Sequence, residues 1–207
     1  MESSAIRAIP QRLTDRKRVA IVSAAIEEFL AAGYDATSMD RIAARANASK
    51  RTVYNHFPSK EALFAAILHQ LWDASQQGDV PAYRADEPLR AQLLDLLSRK
   101  LRLLNDESFL SLARVAIAAG IHSPERARDM VARLGEREED LTVWVRAAAA
   151  DGRLKTDDPL FAALQLQALV KGFAFWPQVT MGQAPLGERE QRQIAESAAD
   201  MFLARYA

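Results

Sequence analysis

The stretch Thr37 to Phe64, TSMDRIAARANASKRTVYNHFPSKEALF, holds the start and stop signals of three consecutive helices within 28 residues. Thr37 or Ser38 supplies an N-cap oxygen. Met39, Ile42, Ala43 and Ala46 then fall at i, i+3, i+4 and i+7, one apolar stripe of a short helix. Asn47 tolerates the left-handed backbone that ends a helix, and Ser49 is placed to cap the next. Pro58 stops that second helix, and Ser59-Lys60-Glu61 opens a third.

The helical period sorts the second helix into two faces. Taking Val53 as origin and stepping about 100° per residue puts Ser49 and Phe57 on its side and Arg51 and Asn55 opposite. An arginine pairs bidentately with guanine and an asparagine with adenine, so this outer face has the chemistry of base-edge reading. Arg51 and Asn55, with Thr52 beside them, are the candidate base readers. Thr37, Ser38, Ser49, Lys50, Tyr54, His56 and Lys60 carry hydroxyl or cationic groups suited to phosphate contact, Lys60 also lying beside the free N–H groups of a helix start. A helical hairpin with a merely solvated basic face is the plainer reading. The coincidence of caps, turn, two apolar stripes and the restart after Pro58 favours a helix-turn-helix, whose second helix enters the DNA major groove.

Ser49-Lys50, Val53-Tyr54, His56-Phe57 and Pro58-Ser59-Lys60-Glu61 together resemble the DNA-binding domain of the tetracycline-repressor (TetR) family of bacterial transcription regulators. The resemblance extends back over a helix from about Asp15 to Ala32, with Val19, Val22, Ile26, Phe29 and Leu30 as its apolar stripe and Gly33 closing it. Asn47-Ala48 departs from the family pattern, which has a glycine followed by a branched apolar residue, so slightly weaker local packing is expected there. From Phe109 onward the segments SLARVAI and FAFWPQ resemble the AefR-like branch.

Charge divides along the chain. The whole has 27 basic and 27 acidic residues, but residues 1–60 hold ten Lys or Arg against six Asp or Glu, a net +4, and the remainder a net −4. The basic end coincides with the presumed DNA end. At 207 residues the chain accommodates a small reader and a larger body: a flexible arm at 1–14, a reader at 15–64 with its motif at 38–57, and a helical body at 65–207. Arg7 and Arg12 on the arm could reach a neighbouring groove, although an arm without a role is the commoner case. Cysteine is absent, which fits a reducing cytoplasm. No signal peptide or membrane span is expected, the most apolar stretch, 159–176, being broken by Gln165, Gln167 and Lys171.

Helical periodicity persists beyond Phe64, for an all-α fold of about nine helices. They include a segment to about Gln77 ended by Gly78, a leucine-rich helix at 89–104, and one capped by Ser108 and stopped at Gly120. A long one follows from Ser123-Pro124 to about Ala150, with Gly135 inside it. An apolar helix opens at Asp158-Pro159 and is terminated by Trp176-Pro177, and a last one runs from about Glu188 to Arg205. A helix apolar on every side asks for cover, so a homodimer is expected through Phe161, Leu164 and Ala168 together with Ile194, Ala198, Met201 and Phe202 of the last helix. Burial within one chain is the alternative. The family resemblance implies the same pairing, a four-helix intersubunit bundle that sets two readers on adjacent major-groove turns of a palindromic operator.

The resemblance also implies a small-molecule effector bound in the body. Candidate lining residues are His69, Trp72, Phe109, Trp144, Phe173 and Trp176, which suit an apolar or aromatic ligand, with Lys171 and Gln167 as a polar seam for a carboxylate. Plain core packing and a solvent-facing seam are the competing assignments. A repressor released by its ligand is the default by resemblance, with a ligand-independent regulator or an activator as alternatives. Three histidines without metal spacing, no phosphate loop and no nucleophile-base pattern leave no metal, cofactor or catalytic group to assign, so an enzyme or a protein-association module ranks below a regulator.

Overall fold

The computed structural model describes residues 13–76, 82–134 and 140–207, and among them every regular element is a helix. Two compact units emerge, Met1–His69 and Gln70–Ala207, the division falling inside one helix. Residues 1–12 of the expected arm, Gly78 and Gly135 lie outside the described residues, and its last two residues, Leu13 and Thr14, open α1 instead.

The first unit contains α1 (Leu13–Ala32), α2 (Met39–Arg45), α3 (Lys50–His56) and the beginning of α4 (Lys60–Gln76). Its core joins Ile21, Ala25 and Phe29 of α1 to Ile42, Val53, Leu63 and Ile67, all at most 3% exposed. The stripe on α1 is therefore Ile21, Val22, Ala25 and Phe29, whereas Val19 and Leu30, expected in it, are 57% and 44% exposed. Positions 21, 25 and 29 recur at i+4, and residue 19, two places before 21, points to the far side of the helix. Phe29, Tyr34 and Phe64 form a ring cluster with centroids 5.1 to 6.2 Å apart, tilted or edge-on as aromatic quadrupoles prefer. Gly33, at φ 81°, ends α1 by donating its N–H to the carbonyl of Phe29.

The second unit carries the rest of α4 and then α5 (Leu89–Leu104), α6 (Glu107–Ile121), α7 (Pro124–Leu134), α8 (Asp140–Ala150), α9 (Pro159–Ala174), α10 (Trp176–Thr180) and α11 (Glu188–Tyr206). Among the described residues eleven helices stand against the expected nine. In the segment 124–150 they are α7 and α8, and residues 135–139 between them lie outside the described residues. Trp176-Pro177 opens a short helix rather than merely closing the preceding one, because a proline is at home in a first helical turn, where its missing N–H is not needed. The α6 cap is Asp106, whose Oδ1 accepts from the Phe109 N–H, and not Ser108, since α5 ends so close before it. Pro159 occupies the first turn of α9 behind the cap Asp158.

Within this unit α5 packs on α11, α8 on α9, and α6 on α7. Leu93, Leu97, Leu101 and Leu104 of α5 are at most 1% exposed and meet a core that includes Leu110, Ala163 and Leu166. A bidentate pair from Arg90 to Asp200, at 2.7 and 3.2 Å, ties the outer edges of α5 and α11. Gln92 is a buried hub: its Nε2 donates to the carbonyls of Arg84 and Glu87, while its Oε1 accepts from the Arg84 N–H and the Trp144 indole. Fully satisfied in this way, it fixes the segment before α5 against α8.

Candidate nucleic-acid interface

The turn between α2 and α3 is built from backbone bonds. Ala48 N–H donates to the Ala43 carbonyl and Asn47 N–H to that of Ala44, while Asn47 sits at φ 48°. This is the Schellman arrangement, with asparagine in the left-handed position. Ser38 and Ser49 cap the two helices, their hydroxyls accepting from the N–H groups of Arg41 and Thr52. Buried Val53 and Phe57 then fix the rotation of α3. Arg51 and Asn55 consequently project outward, exposed and without a hydrogen bond or ion pair to the described residues.

The remaining candidates divide. Tyr54 is exposed beside the readers, His56 is half-buried with its ring 6.5 Å from Phe57, and Thr52 shares a 2.8 Å hydroxyl contact with Ser49. Lys50 forms a 2.5 Å pair with Asp40, which holds its ammonium above the usual lysine range. Both partners are more than half exposed, so water screens the pair and a phosphate can replace the carboxylate.

Two expected phosphate contacts have structural work instead. Thr37 is 3% exposed, and its hydroxyl is directed to the carbonyls of Glu28 and Gly33, 3.1 and 2.8 Å away. It staples the end of α1 to the start of α2. Lys60 directs its ammonium to the carbonyls of Tyr34, Asp35 and Thr37, 2.8, 3.2 and 3.0 Å away, and lies 4.5 Å from the Tyr34 ring centre. With three carbonyls in its three donor directions, it organises the α1–α2 loop and is not a spare cation at the head of α4.

Other groups escaped the sequence reading. Glu28 is buried between α1 and α2, with Arg45 and Arg41 at 2.6 and 2.8 Å, and the Arg45 hydrogen bond first, then both guanidinium charges, holds its carboxyl below the usual range against the cost of burial. Arg45 reaches Glu27 as well. The signal available was a pair of adjacent glutamates near the end of α1 and two arginines one turn apart on α2. Arg18 lies over the Phe57 ring at 4.4 Å, beside the end of α3; no local pattern connects residues so far apart in sequence.

In the second unit the aromatic candidates do not form one group. Trp144 is 2% exposed, with its indole N–H donated to Gln92 and its ring edge-on to Tyr83, which is a satisfied core position. Phe173 and Trp176 are 61% and 46% exposed and lie on the surface rather than inside. Phe109 is buried and meets Phe175, which in turn meets Trp176. Trp72 is half-buried, His69 exposed, and Lys171 donates to Gln167 at 3.1 Å. Of the expected pairing residues, Phe161, Leu164, Ala168 and Met201 are exposed. Ala198 and Phe202 are only 3% exposed and Ile194 is half-buried, because that stripe of α11 is spent on α5 and α9 of the same chain.

Residues 21–67 match the family described as bacterial regulatory proteins of the tetR family, and residues 91–207 match the C-terminal domain of AefR-like transcriptional repressors. The chain belongs to the TetR family. A crystal structure of a TetR family regulator from Pseudomonas syringae pv. tomato is 57% identical, with 94% of this chain and 98% of that one covered and a TM-score of 0.83. The HTH-type transcriptional regulator RutR of Escherichia coli K12 is 30% identical over 172 residues, 81% of this chain and 79% of its own. The flavonoid-responsive regulator FrrA is 30% identical, with 93% and 97% covered and a TM-score of 0.65. This TetR-family chain is thus a transcription regulator that binds DNA through a helix-turn-helix, and its relatives are regulators rather than enzymes. Among its described residues no helix is long and apolar enough to cross a membrane.

Proposed function

We propose that this regulator is a repressor that binds a palindromic operator as a homodimer and is released by a small apolar or aromatic ligand. The carrying observation is the pair Arg51 and Asn55, exposed and unengaged on the face of α3 opposite Val53 and Phe57. A short helix capped at its start and fixed by its core side presents these two groups to base edges with little freedom to lose. In this reading the reader spans 15–64 and the body 65–207.

Pairing is supported by the outer face of α9, where Leu160, Phe161 and Leu164 are each more than half exposed. Contiguous large apolar groups in water favour a partner, and a second copy supplies the same face. Responsiveness to a ligand is supported by the relative FrrA, which is flavonoid-responsive. Selection of bound duplexes from a random pool tests the reading. An inverted repeat with half-sites about one helical turn apart is the expected product. Absence of enrichment, or enrichment of a single half-site, overturns it.

A further inference from the structure

The joint between α6 and α10 holds polar groups that the fold leaves unmatched. Gln178, in the middle of α10, is completely buried. Its Nε2 donates to the Phe173 carbonyl at 3.2 Å, but its Oε1 has no donor. Leaving a buried carbonyl oxygen unmatched destabilises the fold, and a methionine of similar length would avoid that cost. On the facing helix, Arg114 is half-buried and has one partner, the backbone carbonyl of the same Gln178, at 2.9 Å from its Nη2. No carboxylate among the described residues pairs with it, although the chain forms ion pairs elsewhere. A half-buried guanidinium beside a neutral carbonyl retains most of its capacity for an anion.

Aromatic side chains flank the same segment, Phe175 and Trp176 standing three and two residues before Gln178. Phe109 of α6, Phe175 at the α9–α10 break and Trp176 form a run of rings with centroids 6.4 and 5.0 Å apart, leading from a buried position to a half-exposed one. The element carrying Gln178 packs on α6 and α9 but is bounded by a backbone break at each end. The backbone leaves helical geometry at Phe175 (φ −139°, ψ −62°) and turns again at Gly182 (φ 67°), so five helical residues hang between two breaks.

We propose that the α6–α10 joint is the binding site of a small aromatic acid that also carries a hydrogen-bond donor. The ring lies among Phe109, Phe175 and Trp176, the anion meets Arg114, and the donor satisfies Gln178 Oε1. This site rests on the ligand-responsive reading above and gives that ligand a chemical class. Binding is non-covalent and requires α10 to shift away from α6, since Oε1 is closed to solvent.

The probe is 4-hydroxybenzoate, which has ring, anion and donor together, with benzoate lacking the donor and phenol lacking the anion. Titration calorimetry on the full chain is expected to show saturable 4-hydroxybenzoate binding, weaker by about tenfold or more for each control, the loss from one missing polar contact. Gln178→Met is expected to keep or raise the thermal midpoint while weakening 4-hydroxybenzoate at least about tenfold. Arg114→Gln is expected to abolish the advantage of 4-hydroxybenzoate over phenol. No saturable heat with the unaltered chain, or equal affinity in both variants, overturns the site. Should Gln178→Met fail to fold, Arg114→Gln alone decides. DNA retention is measured separately: binding without release supports this site and sinks only the release mechanism, whereas loss of the site leaves DNA recognition untouched.

Discussion

Lys60 and Arg51 are both basic residues of one short stretch, and their surroundings give them different work. Arg51 is exposed and unengaged, so Arg51→Ala should cost about 1 to 3 kcal/mol at one operator position and flatten base preference there. Lys60 spends its ammonium on three loop carbonyls, so Lys60→Ala should lower the thermal midpoint, by the equivalent of about 2 kcal/mol, and leave the salt slope of DNA binding unchanged. A slope reduced by about one with an unchanged midpoint would restore Lys60 to the phosphate contacts. Glu28 adds a pH dependence. Its folded carboxyl titrates below its unfolded value, so its contribution is complete above the ordinary carboxylate range and is lost as pH falls through the depressed value. Glu28→Gln should therefore flatten the acid limb of stability for α1 and α2, read by circular dichroism against pH.

At the scale of elements, the α2–α3 turn tests how the motif is held. Asn47 occupies a left-handed conformation that glycine adopts freely and that β-branched residues resist. Asn47→Gly should leave stability unchanged or slightly raised, while Asn47→Val should lower it by about 1 to 2 kcal/mol and weaken DNA binding by misaligning α3. Equal melting of both variants would show that the turn is set by packing alone. This element was open to sequence reading because its determinants are local: a cap, a left-handed residue and a helical period all act within a few positions. The roles of Thr37 and Lys60 were not, since their partners are carbonyls at the end of α1 and in the α1–α2 loop whose approach depends on tertiary closure. The α11 stripe failed for a related reason. Period identifies an apolar face, but only packing says whether Ala198 and Phe202 are claimed by their own chain or another.

For the whole molecule, the apolar groups left on the surface are the ones on which the proposed pairing rests. Phe161 and Leu164 lie one turn apart on α9, exposed by 56% and 51%, and face away from the core that Ala162, Ala163 and Leu166 complete. Phe161→Glu with Leu164→Glu should convert the dimer to a monomer in equilibrium sedimentation while leaving helical content intact. It should also remove cooperative binding to the inverted repeat and spare weak binding to a half-site. A monomer in the unaltered chain at micromolar concentration would remove the dimer and the palindrome together.

Of the three tryptophans in the second unit, Trp144 and Trp176 have opposite surroundings, with the half-buried Trp72 between these extremes. Trp144, enclosed and hydrogen-bonded through its indole, should emit at short wavelength and resist collisional quenching until the core opens. Trp176, nearly half exposed at the end of a run of rings, should emit to the red and be quenched by iodide in the free protein. With Trp72 replaced by phenylalanine, one chain therefore carries an internal thermometer and a surface dosimeter, so that unfolding and occupation of its outer face can be followed as separate colours in a single cuvette.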